Sequence, residues 1–178
     1  MAAQSSSFIT DVEAAVLAEI KAKCGTGSET YPEPAYLLLA FADRGDVAPR
    51  LELDEARLPG LLMQYVSGER KEGGIGRVAN IERWNVGAVI RLTPGIMGYD
   101  GTDVSTFKGY AQASADTLSR RLRQTLDGFR PGVSDVTFGE LSGRGRVPRW
   151  TVVLVPEGDL SVIATVFLEW ELQTEINA

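Results

Sequence analysis

Few residues in this chain have the type and spacing that chemistry needs. The first candidate is the stretch SGERKEGGIGR, Ser67 to Arg77, which sets four glycines among charged side chains between two strand-like runs. A phosphate-cradling loop requires a strand, a glycine turn ending in Gly-Lys-Ser/Thr and an immediate helix, so that backbone amides and the helix N-terminus face the phosphates. Here Gly73, Gly74 and Gly76 lead to Arg77, Val78 and another strand-like run, with no Lys-Ser/Thr and no GxGxxG spacing. The stretch therefore reads as a long, flexible, charged hairpin connection spanning residues 67–80.

A second candidate is SGRGRVPRW, which places Arg144, Arg146 and Arg149 beside Trp150. Two readings stand: a mobile basic arm over 142–149 that contacts phosphate or an acidic partner, or a solvated loop whose arginines pair with nearby acids. A third is the carboxylate set Asp43, Asp46, Glu52, Asp54 and Glu55. Paired-carboxylate catalysis needs two such groups converging in a walled pocket, and these lie in a polar, proline-broken connection. Glu169 and Glu171 fall on the outer side of a strand, where they could blunt a sheet edge or meet a partner's basic patch. Cys24 reads as a small buried apolar residue.

The inventory narrows the classes further. One cysteine and no histidine exclude intramolecular disulfides, Cys/His zinc sites, Ser-His-Asp triads and Cys-His dyads. A formal net charge of −6 argues against a whole-surface nucleic-acid binder. No apolar run approaches the ~20 residues of a spanning helix, so no membrane partner is expected. The opening MAAQSSSFIT has neither a basic nor an apolar leader region, which makes the cytoplasm the expected place of synthesis. No catalytic constellation emerges. An enzyme is not expected, no cofactor or metal is called for, and a structural or assembly protein is the leading class.

The elements that must position these residues follow from periodicity. At 178 residues and 44% hydrophobic, the chain fits one domain with a core of its own. Val12, Val16 and Ile20 mark one face of a helix from Thr10 to Cys24, with Thr10 and Glu13 as a capping box, Phe8 and Ile9 as a staple, and Gly25 as its stop. Residues 26–58 form a long loop region in which AYLLLAFA could be a short helix or a buried strand. LLMQYVS and RWNVGAVIRL then alternate as an antiparallel pair.

A second helix spans Ser105 to Leu126, with Tyr110, Ala111, Ser114, Ala115, Leu118, Leu122 and Leu126 inward and Arg120, Arg121, Arg123 and Gln124 outward. Three strands follow: GVSDVTFGEL, RWTVVLVP and a last one in which Leu160 to Leu172 hold seven successive even positions with apolar residues. PEGD makes the final turn. The expected fold is α+β, a mainly antiparallel sheet of four to five strands with two helices packed on one face.

The order ITDVEAAVLAEIKAKCG, LPGLLMQYVSG, RWNVGAVIRL, ADTLSRRLRQTLDGFRP and VIATVFLEWELQTEI resembles the tail terminator proteins of long-tailed phages, closest to the Mu-like contractile-tail type. The likeness covers about four-fifths of the chain as element order, with AYLLLAFADRGDV and GELSGRGRVPRW extended relative to that pattern. It implies a virion subunit that forms a hexameric ring on the tail-tube protein, stops tube growth and docks to a head-tail connector or neck protein. The tail sheath is a further partner, and DNA only passes through the lumen.

A ring arises when a head-to-tail contact repeats through an angle that closes. Projecting loops are the natural carriers of such contacts, which points to Glu69, Arg70, Lys71, Arg77, Arg144, Arg146 and Arg149 as interface residues. Other readings remain: a different head-tail joining protein, or, from another class, a small-molecule-binding or carboxylate-dependent α+β enzyme using the acids of residues 43–55.

Overall fold

The structure, a computed structural model, describes residues 8–24, 60–73, 77–135 and 140–176. Its elements run α1 (Phe8–Cys24), β1 (Gly60–Gly73), β2 (Arg77–Leu92), α2 (Pro94–Met97), α3 (Val104–Leu126), β3 (Ser134–Asp135), β4 (Glu140–Gly158) and β5 (Ser161–Ile176). The five strands form one sheet in the order β1-β2-β5-β4-β3, every neighbouring pair antiparallel. The expected α+β class, antiparallel sheet and helix-covered face are all present.

The helix-facing side of the sheet comes from simple alternation. Trp84, Val86, Ala88, Ile90 and Leu92 of β2 pair directly with Trp170, Leu168, Val166, Ala164 and Val162 of β5, and all ten are buried. Partners in register share a face of the sheet. Onto this face α1 brings Val12, Val16, Ile20 and Cys24, and α3 brings Phe107, Ala111, Ala115, Leu118, Leu122 and Leu126, all in one core. The two tryptophans lie at its centre with ring centroids 5.4 Å apart. Each indole N–H has an acceptor: Trp84 donates to Glu13 Oε1 at 3.1 Å and Trp170 to the Leu126 carbonyl at 3.1 Å. These bonds tie β2 to α1 and β5 to the end of α3, and they satisfy two donors that would otherwise be costly to bury.

Several local expectations are corrected. Thr10 lies inside α1, which already includes Phe8, because the stripe of residues spaced by four, Phe8, Val12, Val16, Ile20 and Cys24, runs past it. Gly25 and the 26–58 region lie outside the described residues. Within TPGIMGYDGTD the short α2 forms, with Thr93 at its N-cap and Gly98 closing it at φ 62°. α3 begins after Asp103, whose carboxylate accepts the Thr106 N–H at 2.7 Å.

Tyr110, expected inward, is 51% exposed, and Arg121, expected outward, is 6% exposed. Arg121 sits three residues after Leu118 and four before Thr125, within the buried stripe, so position overrides residue type. The final turn is Asp159–Leu160, with Gly158 still opposite Ser161 in the ladder. β5 is flanked by β2 and β4, so Glu169 and Glu171 do not blunt an edge.

Candidate functional site

The expected 67–80 loop is largely strand. β1 reaches Gly73 and β2 starts at Arg77, with Gly68 opposite Glu82, Glu69 opposite Ile81, Arg70 opposite Asn80 and Lys71 opposite Ala79. A bulge between Tyr65 and Ser67 precedes this ribbon. Only residues 74–76 between the two strands lie outside the described set. The glycine-loosened arm is therefore corrected to a paired β-ribbon.

Several of its charges are engaged within the subunit. Arg83 Nη2 donates to Glu69 at 2.8 Å and its Nε to Glu171 at 2.9 Å, a chain of charge crossing β1, β2 and β5. The Arg83 hydrogen bond and charge hold the Glu69 carboxyl below the ordinary carboxylate range, and its two carboxylate partners push the guanidinium pKa of Arg83 up. Next to it Tyr65 donates to Glu82 at 2.6 Å. Burial, then that hydrogen bond, push the Tyr65 phenol up to about 12. Gly68 has a role here: a Cβ on it would stand 2.5 Å from Glu82 Oε2 and 2.9 Å from the Tyr65 hydroxyl. Arg70 and Lys71 are exposed on this ribbon, and the Arg77 side chain lies outside the described residues.

The 142–149 segment is likewise strand, part of β4, but an irregular one. Its pairing with β5 slips between Ser142 and Gly145 and again between Arg146 and Arg149. Each slip inserts an extra residue, which re-aims the side chains around it. Gly145 lies against the Trp170 indole so closely that a Cβ would meet Nε1 at 2.4 Å. Its N–H donates to the Phe129 carbonyl at 2.7 Å and its carbonyl accepts from Gly128 at 2.8 Å, binding the bulged strand to the turn after α3. The Val147 N–H adds a bond to Asp127 Oδ1 at 3.3 Å.

These contacts shape a groove of ≈ 460 Å³ between α3 and β4, lined by Arg120, Arg123, Gln124, Asp127, Val147 and Trp150. Trp150 pairs with Leu168 and so lies on the helix side of the sheet, yet it is 49% exposed. The Arg123 guanidinium carbon sits 4.0 Å from its ring centroid, a cation–π contact worth roughly 0.5–1 kcal/mol at an exposed site. The Arg123 Nε–H is screened there and has no hydrogen-bond acceptor.

The predicted interface residues do not form one site. β1, with Glu69, Arg70 and Lys71, is an edge strand, and β2 and β5 separate it from β4. At ~4.8 Å per strand spacing, the two groups stand about 14 Å apart across the sheet. Within β4 the bulges divide the arginines as well. Arg149 pairs loosely with Glu169 at 3.8 Å, whereas Arg144 reaches over Gly128 at the end of α3. Arg120, Arg123 and Trp150 were not singled out as contact residues from sequence, because α3 and β4 bring them together over a wide gap. The only local signal is the Arg-rich last turns of α3 beside a tryptophan-bearing arginine strand.

On the face away from the helices, Val153, Val155 and Phe167 are exposed. Among the described residues, no group of three or more Cys, Asp or Glu is placed to hold a metal ion, and no helix is long and apolar enough to cross a membrane. Asp43, Asp46, Glu52, Asp54 and Glu55 lie outside the described residues. Cys24 is buried beside Thr125, Sγ to Oγ1 3.6 Å, and burial pushes its thiol pKa up. No protein-family model matches the chain, and no curated protein does.

Proposed function

We propose that the protein is a tail terminator of a long-tailed phage, of the Mu-like contractile type. Its subunits close into a hexameric ring in the virion, cap the tail tube, stop tube polymerisation and present the opposite face to the head-tail connector or neck protein. The sheath surrounds the ring, and DNA passes through the lumen without being held.

One observation carries this reading: the order helix, long hairpin, long helix, long hairpin, folded as a single antiparallel sheet with both long helices on one face. This element order agrees with the one on which the sequence resemblance rests. Two features support it further. The exposed side of α3 carries acids towards its N-terminal end and arginines towards its C-terminal end, two different surfaces, as a head-to-tail contact requires. A net charge of −6 also suits a lumen through which DNA must slide.

The test is tube assembly in vitro. Adding the purified protein to its polymerising tail-tube protein is expected to halt growth and leave a ring at one tube end in electron micrographs. Tubes of unchanged length with bare ends would refute the reading. A twelve-subunit ring that binds the connector but not the tube would favour the alternative head-tail joining protein.

A further inference from the structure

We infer that the groove of Arg120, Arg123 and Trp150 is one half of a self-contact, and that its occupant is the acidic, aromatic end of α3 on a second copy of this chain. The inference deepens the ring reading and rests on it for the head-to-tail sense of the contact.

The exposed side of α3 is polarised along its length. Around its N-terminus stand Asp100 and Asp103, with Lys108 one turn in and Asp116 further on; its last turns and the following loop carry Arg120, Arg123 and Arg130, with Asp127. The two groups are separated along the helix: at ~1.5 Å per residue Tyr110 and Arg120 stand about 15 Å apart, on a helix of about 34 Å. Each end carries exposed aromatic surface. At the acidic end Tyr110 is half exposed and packs against Tyr99, ring centroids 5.1 Å apart and planes tilted by 40°, and Ile96 of α2 is also exposed. At the basic end the exposed Trp150 lies under Arg123.

The charges at these ends are available to a partner, unlike Glu69, Arg83 and Glu171, which pair with one another across the sheet. Among the described residues neither Arg120 nor Arg123 forms an ion pair, and Asp100 forms none either. Asp127, the single acid of the groove, already accepts the Val147 N–H. A carboxylate arriving from outside would meet two guanidinium groups and a flat indole, and a tyrosine beside that carboxylate would cover the indole. Trp, Tyr and Arg are the residue types that dominate contact energies in interfaces. The acidic end offers the carboxylate of Asp100 and the exposed ring of Tyr110, the two kinds of group the groove would take. Because the two surfaces differ, each copy keeps one of each after pairing, and the contact repeats until it closes.

The experiment uses two full-length variants and the parent protein, with subunit number read by native mass spectrometry and folding checked by circular dichroism. One variant carries Arg120→Ala with Arg123→Ala, and the other Asp100→Ala with Tyr110→Ala; Asp103 is left alone because it caps α3. Each variant alone is expected to be folded and monomeric, its self-association weakened at least about tenfold. Mixed together they are expected to give one-to-one pairs that grow no further, since each supplies one intact half. Rings from either variant alone would overturn the inference and leave the ring reading standing. A parent protein that stops at two subunits would overturn the head-to-tail sense. A parent that stays monomeric with and without tube protein would remove both.

Discussion

The two long hairpins of this protein carry the same sequence signature and put it to different ends. β1–β2 and β4–β5 both hold glycines among charged residues, and both fold as strand where a loop was expected. In β1–β2 the fold places Glu69 beside Arg83, Arg83 beside Glu171 and Tyr65 beside Glu82, so these charges are matched inside the subunit. In β4 three register shifts interrupt the ladder, Arg144 turns toward the end of α3, and Arg149 meets Glu169 across the strand only loosely, at 3.8 Å. Charge density alone does not mark a contact surface. Among the described residues, charge that the subunit leaves without an ion pair, as at Arg120 and Arg123, is the better mark.

The largest effect expected from testing this contrast is at the point where β4–β5 meets α3. Trp170→Ala removes a fully buried ring and its bond to the Leu126 carbonyl, and is expected to cost about 3–5 kcal/mol, lowering Tm by about 10 °C or more. A thermal melt that moved by only a degree or two would mean that this junction is not what holds the bulged strand.

Next comes a glycine comparison between the hairpins. Gly145→Ala drives a methyl into the Trp170 ring, which the core holds in place, at a cost of about 1–3 kcal/mol. Gly68→Ala meets only the ends of Glu82 and Tyr65, which can rotate away, so the loss is roughly that of one hydrogen bond, about 0.5–1.5 kcal/mol. Denaturant midpoints for the pair should fall in that order, and a reversed order would contradict the packing described for β4.

A smaller, pH-dependent effect is expected at Glu13. Burial raises its folded-state pKa above the ordinary 4.5, only partly opposed by the Trp84 N–H. A raised carboxylate pKa means that stability is lost as pH climbs from 4.5 through the folded-state value, and the loss is complete above it. Glu13→Gln keeps an acceptor for Trp84 and removes the charge. It should melt higher than the parent at about pH 8 and lose that advantage below about pH 4. A difference that did not change with pH would point to packing instead.

The smallest effect belongs to the matched ribbon. Arg83→Ala should leave subunit assembly unchanged while the Glu69 carboxyl titrates closer to its ordinary value by NMR. Loss of assembly in this variant would show that the β1–β2 ribbon is itself a contact surface.

Much of the fold was legible in the sequence for a definite reason. The even-numbered residues from Val162 to Leu172 are apolar because one face of β5 is wholly covered, and the same holds for Trp84 to Leu92. The i, i+4 stripe of α1 and the bounds of α3 followed in the same way. What escaped was decided by pairing rather than by pattern. The paired ribbons looked like loops because glycine and charge signal turns, while the pairing of β2 and β4 with β5 that completes the sheet joins residues distant in sequence. Arg121 and Tyr110 were placed by residue type, although each lies at the margin of the helix face, where a few tens of degrees decide burial. The groove was hidden most completely, because Arg123 and Trp150 meet only after the bulges of β4 have turned that strand against the end of α3.

The central claim is that this chain closes head-to-tail into a ring on a tail tube. Negatively stained images of the parent protein with its tube protein, with subunits counted in each end-on view, test it most directly. Closed rings of six at the tube ends are the expected result. A protein that remains monomeric beside growing, uncapped tubes would contradict it.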